Sequence, residues 1–162
     1  MLKEYDNAWA KYQEKLNILS LPLVSWGFSK EFYSEEIQYK NINQFWNTTT
    51  DYLKLSKSEK RQLVITDKNF KIIFASENIS KMNGYQPQEM LGKSPTMFQG
   101  LKTSKRTVLS IRKAIDNLKP FKEVILNYKK NGETYWCEIE AKPMFNQNGE
   151  FINYIALERI AS

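Results

Sequence analysis

The 162 residues contain no histidine and a single cysteine, Cys137, and these two facts bound the chemistry before any fold is considered. Without histidine the chain lacks the commonest general base, the commonest metal ligand and the phosphoacceptor of a histidine kinase. One cysteine forms no intrachain disulfide and cannot build a multi-cysteine zinc or iron–sulfur site, so no metal is expected. Haem would need methionine, tyrosine or Cys137 alone as its axial ligand. No nucleophile–base pair, glycine-rich phosphate loop or carboxylate dyad with supporting spacing is present, and the chain reads as a non-enzyme.

Charge and composition add further bounds. The net charge is +6, but the lysines are dispersed among carboxylates, and even the densest basic stretch, Lys54 to Arg61, contains Glu59. That pattern predicts a solvated surface rather than a nucleic-acid interface. An apolar share of 41%, of which aromatic residues are 14% of the chain, is enough for a packed core. Met1 to Tyr12 alternates charged and aromatic residues without a signal-peptide apolar stretch. No run approaches the roughly eighteen apolar residues of a membrane span. These readings make a cytoplasmic protein without membrane partners the expectation, with Met1 as a natural start and the end at Ser162 left open.

Two parts of unequal character would position the side chains: an N-terminal helical extension over 1–60 and an α/β part over 61–162. Leu2, Tyr5, Trp9, Tyr12, Leu16 and Leu19 recur at spacings of three and four, which makes one apolar stripe on a helix ended by Pro22. That stripe either packs on its own domain or forms a dimer seam. Ser34-Glu35-Glu36-Ile37 reads as a second helix start, with Ile37, Phe45 and Trp46 available for burial; 48–60 is polar and reads as a short helix or linker. Leu63–Thr66 and Phe70–Phe74 are β-rich runs joined by Asp67-Lys68-Asn69 as a hairpin. Short helical pieces punctuated by Gly84, Gly92 and Gly100 follow, then a longer helix over 104–118 with Val108, Ile111 and Ile115 on one face, stopped by Pro120. Three strands complete the chain, joined at Asn131-Gly132 and Asn148-Gly149, the strongest short hairpin signal. The fold class is α+β with one antiparallel sheet.

These residues carry a resemblance. Gly84-Tyr85 through Glu89-Met90-Leu91-Gly92, then Phe98-Gln99-Gly100, then Asn127-Tyr128-Lys129-Lys130-Asn131-Gly132 with Tyr135-Trp136 and Pro143 behind it, resemble a PAS domain, in particular its light–oxygen–voltage (LOV) branch. The resemblance implies a five-stranded antiparallel sheet with short helices on one face over 61–162, and says nothing of 1–60. A photochemical LOV domain carries Gly-x-Asn-Cys-Arg-Phe-Leu-Gln, whose cysteine bonds to excited flavin. The matching segment here is Gly92-Lys93-Ser94-Pro95-Thr96-Met97-Phe98-Gln99. Pro95 takes the cysteine position, Thr96 the phosphate-binding arginine and Ser94 the first asparagine. Cys137 falls at the second flavin asparagine and Glu158 at the terminal glutamine, while Gln99, Arg112 and Asn127 keep their types. The resemblance therefore implies no adduct photochemistry, and Cys137 reads as a structural thiol.

Strand alternation sorts the candidates further. If Asn127 points inward, so do Ile125 and Glu123; Tyr135, Cys137, Ile139 and Ala141 follow on the next strand, and Ile152, Tyr154, Ala156 and Glu158 on the last. Val124, Leu126, Tyr128, Trp136, Phe151, Ile155 and Leu157 then face out, a surface too apolar for water that the stripe over 1–20 would cover. The candidate cavity lining is Ser94, Gln99, Arg112, Asn127, Tyr135, Cys137, Tyr154 and Glu158, with Glu158 able to pair with Arg112. The expectations are a sensory or interaction module without a resident cofactor, hence colourless, whose cavity takes an unknown small ligand or is filled. Flavin held without covalent chemistry is the alternative. The partners expected are a second copy, through the N-terminal helix and the outer sheet face, and a downstream signalling protein.

Overall fold

The computed structural model describes residues 34–161. Helix α1 spans Glu35–Asn43 and α2 spans Tyr52–Ser58. Strands β1 (Gln62–Thr66) and β2 (Ile72–Ala75) follow, then the short helices α3 (Ile79–Asn83) and α4 (Pro87–Met90) and a 3-10 turn over Pro95–Phe98. Helix α5 (Lys105–Asp116) leads to β3 (Phe121–Tyr128), β4 (Thr134–Phe145) and β5 (Phe151–Ile160). The strands make one antiparallel sheet in the order β2-β1-β5-β4-β3. The stripe expected over 1–20 lies outside the described residues.

Turn chemistry fixes the connections. The Asp67 carboxylate accepts from the backbone N–H of Asn69 and Lys71 at 2.8 and 2.9 Å, closing the first hairpin. Gly132 and Gly149 sit at φ of +88° and +78°, which the two tight Asn-Gly turns demand. Gly100 has a different reason to be glycine: a Cβ there would stand 2.5 Å from Tyr128 Cε2. The Ser104 hydroxyl caps α5 by accepting from the Thr107 N–H.

The sheet has a core on each face. On the inner face, Val64, Ile72, Ile125 and Cys137 pack with Ile79, Met82, Met90 and Phe98 of the short helical pieces. On the outer face, Leu63, Ile65, Phe74, Ile155 and Leu157 pack under Tyr39, Trp46, Tyr52 and Leu53. The segment that read as polar, 48–60, therefore supplies core residues and covers part of the outer face. Trp46 is pinned: its indole N–H donates to Asn153 Oδ1 at 2.8 Å, and Asn153 Nδ2 donates to the Thr66 carbonyl. Ile37 and Phe45, expected to bury with it, are exposed.

Alternation holds on β3 and β4 and fails at the start of β5. Met144 pairs with Asn153 and Phe145 with Phe151, so Ile152 is an extra residue in the ladder. Ile152 consequently packs on the outer cluster, whereas Phe151 stacks on Phe70 and against Tyr154. The expected phases of Phe151 and Ile152 are thus reversed. Val124 and Trp136 remain exposed on the outer face. Tyr128 folds over the β3 edge, where its hydroxyl accepts from the Lys102 N–H at 2.9 Å.

Candidate functional site

A cavity of about 100 Å³ lies between the inner face of the sheet, the 3-10 turn and α5. Alternate residues of the strands reach it: Val64 and Thr66 from β1, Ile125 and Asn127 from β3, Ile139 and Ala141 from β4, Ala156 and Glu158 from β5. Pro95, Phe98 and Gln99 close one end, and Ile111 and Ile115 of α5 form the lid. The α5 lid is lightly held. It has no buried residue, and its links to the sheet include a Ser110 hydroxyl donating to Glu123 at 2.7 Å and the Tyr154 hydroxyl donating to the Lys119 carbonyl just beyond the helix.

Of the sequence candidates, Gln99, Asn127, Tyr154 and Glu158 border the cavity, and Ser94, Arg112, Tyr135 and Cys137 do not. The Ser94 hydroxyl instead caps the 3-10 turn by accepting from the Thr96 N–H. Arg112 is exposed on α5, and the expected Glu158–Arg112 ion pair is not formed. The geometry is simple: position 112 follows Ile111 on the helix, and when Ile111 faces the sheet its neighbour turns to solvent. Tyr135 and Cys137 are buried in the inner core beside the cavity rather than in its wall. Thr66 of β1 also lines the cavity, a position that strand alternation counted from Asn127 does not reach; its hydroxyl is buried and has no hydrogen-bond partner.

The electrostatics of this region are those of a dry pocket. Burial pushes the Glu158 carboxyl up to about 7, and the hydrogen bond from Cys137 Sγ, 3.8 Å away, partly offsets the rise. Burial, reinforced by the Glu158 charge, raises the Cys137 thiol far above its ordinary range, opposite to what a nucleophile needs. The Tyr135 hydroxyl is also raised by burial, with Cys137 and Glu158 adding to it, and Tyr154 is pushed up to about 12 by burial. The arrangement offers two amides, the Thr66 hydroxyl and the Glu158 carboxyl toward a mostly apolar slot, a geometry suited to binding.

Comparison with known proteins bears on what the slot holds. The PAS domain family profile matches residues 61–159. Among curated relatives, Protein TWIN LOV 1 of Arabidopsis thaliana is 35% identical over 54% of this chain and 22% of its own length, and Phototropin-1A of Oryza sativa subsp. japonica is 30% identical over 79% of this chain and 14% of its own. A blue-light-activated histidine kinase of Brucella ovis is 34% identical over 52% of this chain and 17% of its own length. The chain thus spans less than a quarter of these relatives. A LOV domain structure described with a flavin analogue superposes with a TM-score of 0.66 at 26% identity, covering 70% of this chain and 87% of that one. The dark structure of the Aureochrome1 LOV photoreceptor gives 0.64 at 26% identity, covering 72% and 86%.

These findings overturn the expectation of a domain without a cofactor: a similar solved LOV domain is described with a flavin analogue. The residues fit such a ring chemically. Apolar walls from Phe98, Ile111, Ile125 and Ile139 suit its faces, and Gln99, Asn127 and the unpartnered Thr66 hydroxyl suit its polar edge. The volume, about 100 Å³, lies below the roughly 300–1,000 Å³ of small-molecule sites. Admitting the ring therefore calls for a wider cavity than the one described. The five-stranded sheet, the helices on its inner face and the profile match over 61–159 place the chain in the PAS domain family, in its LOV branch.

Proposed function

We propose that the chain is a flavin-binding sensory PAS module of the LOV branch that works without a thiol adduct and passes its state on by protein contact rather than by catalysis. The carrying observation is that the amides of Gln99 and Asn127 border the cavity beside Pro95, whereas Cys137, the sole thiol, is absent from the lining. A bound isoalloxazine would supply blue-light absorption and reversible redox chemistry. Gln99, Asn127 and Thr66 would hold its polar edge; Phe98, Ile111, Ile125 and Ile139 would exclude water from its faces. Ser94, Arg112, Tyr135 and Cys137 would act from outside the wall, and Tyr154 would anchor the lid.

The output side of this reading is the outer face. A groove of about 520 Å³ there is bordered by Tyr52, Leu55, Phe121, Ile155 and Leu157, and Val124 and Trp136 stand exposed on the same face. Such a surface supports self-association as a homodimer or docking of an effector. Residues 61–162 would be the sensory domain and 1–60 its extension, in a cytoplasmic setting; among the described residues no helix is long and apolar enough to cross a membrane.

The test is the visible spectrum of the purified full chain, with flavin supplied during expression. Bound flavin is expected, with no thiol-adduct spectral change on illumination and an identical spectrum for Cys137→Ala. Failure to retain flavin would overturn the reading, and a light-driven adduct abolished by Cys137→Ala would overturn its non-covalent part.

A further inference from the structure

Glu158 lies in the wall between two spaces. One is the inner cavity; the other is a surface groove of about 440 Å³ between the end of α2, the start of β1 and the β2–α3 turn, with Lys57, Arg61, Lys81 and Arg159 among its lining. A buried carboxyl in such company would ordinarily take a cation as partner. It does not. Lys57 is held by Glu35 and Glu36, Arg61 by Glu59, Glu138 and Glu140, and Arg159 by Glu138. Lys60 and Lys81, which also line the groove, make no ion pair with it among the described residues.

The groups turned toward Glu158 from the strands are neutral. On β1 its ladder partner is Gln62 and on β4 it is Ile139. From β4 the Cys137 thiol donates to Oε2, and the Tyr135 hydroxyl lies near without a well-formed hydrogen bond of its own. The amide residues Gln99 and Asn127 line the same cavity. Only 7% of Glu158 is exposed, so ionising it leaves a charge with a single weak donor.

A neutral carboxyl has the shape and the donor–acceptor pair of a carboxamide, while a carboxylate only accepts. We propose that Glu158 is the ligand-selecting residue of the cavity: its neutral form binds a neutral heteroaromatic ring bearing a hydrogen-bond acceptor at its edge, the class to which isoalloxazine belongs, and its ionised form rejects that ring. This rests on the flavin reading and adds the residue that decides binding. Loss of the proton sets the carboxylate lone pairs against the ring acceptor and strands a charge in a closed slot. Glu158 also belongs to the lining of the surface groove, which gives its proton a route to solvent other than through the ring. The upward displacement of its titration to about 7 puts this exchange in the neutral range.

The affinity of the full chain for added riboflavin, which lacks the titratable phosphate of other flavins, tests this by fluorescence quenching at about pH 5.5 and about pH 8.5, either side of that range. Wild type should bind about tenfold or more tighter at the lower pH, whereas Glu158→Gln should bind with similar affinity at both. Infrared spectra of the chain without riboflavin should show a protonated-carboxyl band at the lower pH that is lost at the higher and missing in Glu158→Gln. Binding without pH dependence in wild type, an unchanged dependence in the variant, or no such band overturns the Glu158 assignment alone. Absence of riboflavin binding by both proteins at both pH values overturns the flavin reading on which the assignment rests.

Discussion

Glu158 and Cys137 are both buried and share one weak hydrogen bond, and each predicts a measurable behaviour. A carboxyl whose folded titration lies above its unfolded value favours folding below the unfolded value, and that contribution is lost as pH rises through the folded one. For Glu158 the window runs from 4.5 to about 7, which corresponds to about 3 kcal/mol. Glu158→Gln should therefore gain stability of that order over wild type above pH 7 and little near pH 4.5, read by urea denaturation at each pH. For Cys137, burial and a raised thiol predict that a thiol reagent leaves it unmodified in the folded chain and reacts fully once the chain is unfolded; rapid labelling of the native protein would contradict this.

At the scale of elements, the Gly100 loop lies so close to Tyr128 on the β3 edge that a Cβ has no room there. A methyl at residue 100 must displace the Tyr128 ring, and with it the acceptor of the Lys102 N–H. Gly100→Ala should cost about 1–3 kcal/mol, and Tyr128→Ala in the same chain should recover part of it, as a double-mutant cycle would show. This scale is also where the sequence was most and least readable. Asn-Gly turns, the apolar face of 104–118 ahead of Pro120 and alternation outward from Asn127 lead directly to the hairpins, to α5 and to the inner positions Ile125, Ile139 and Ala156. The reversal of Phe151 and Ile152 has no local signal, because the bulge is set by pairing with β4 rather than by residue type. Tyr52 and Leu53 were hidden among polar neighbours; a seven-residue helix buries by tertiary contact, not by a periodic stripe. Arg112, which the resemblance put among the candidates, stands exposed on α5 and outside the cavity lining, because helix phase is not part of a residue-type match.

At the scale of the whole molecule, the two faces divide the labour. The inner face encloses the cavity; the outer face carries a core under α1 and α2 and leaves Val124 and Trp136 in solvent. If that face joins two copies, Trp136→Glu with Val124→Glu, both exposed in the described chain, should shift the full chain to monomer in light scattering. A lower melting temperature without a change in mass would argue that the pair matters to the fold and not to assembly.

The ladder between β1 and β5 has a mechanical consequence. Gln62, at the entry to β1, is paired with Glu158 near the exit of β5, and Ile160 lies beside Cys137 in the middle of the sheet. Entry and exit are therefore at one end of the two central strands, so tension between residues 61 and 161 loads the ladder as a zipper. Bonds would open one pair at a time, starting at Gln62–Glu158, instead of shearing together. Pulling on handles attached at those positions should part the strands at low force, and the first pair to open carries the carboxyl that borders the cavity. A segment attached beyond β5 could thus sense the cavity through the strand end that it tugs.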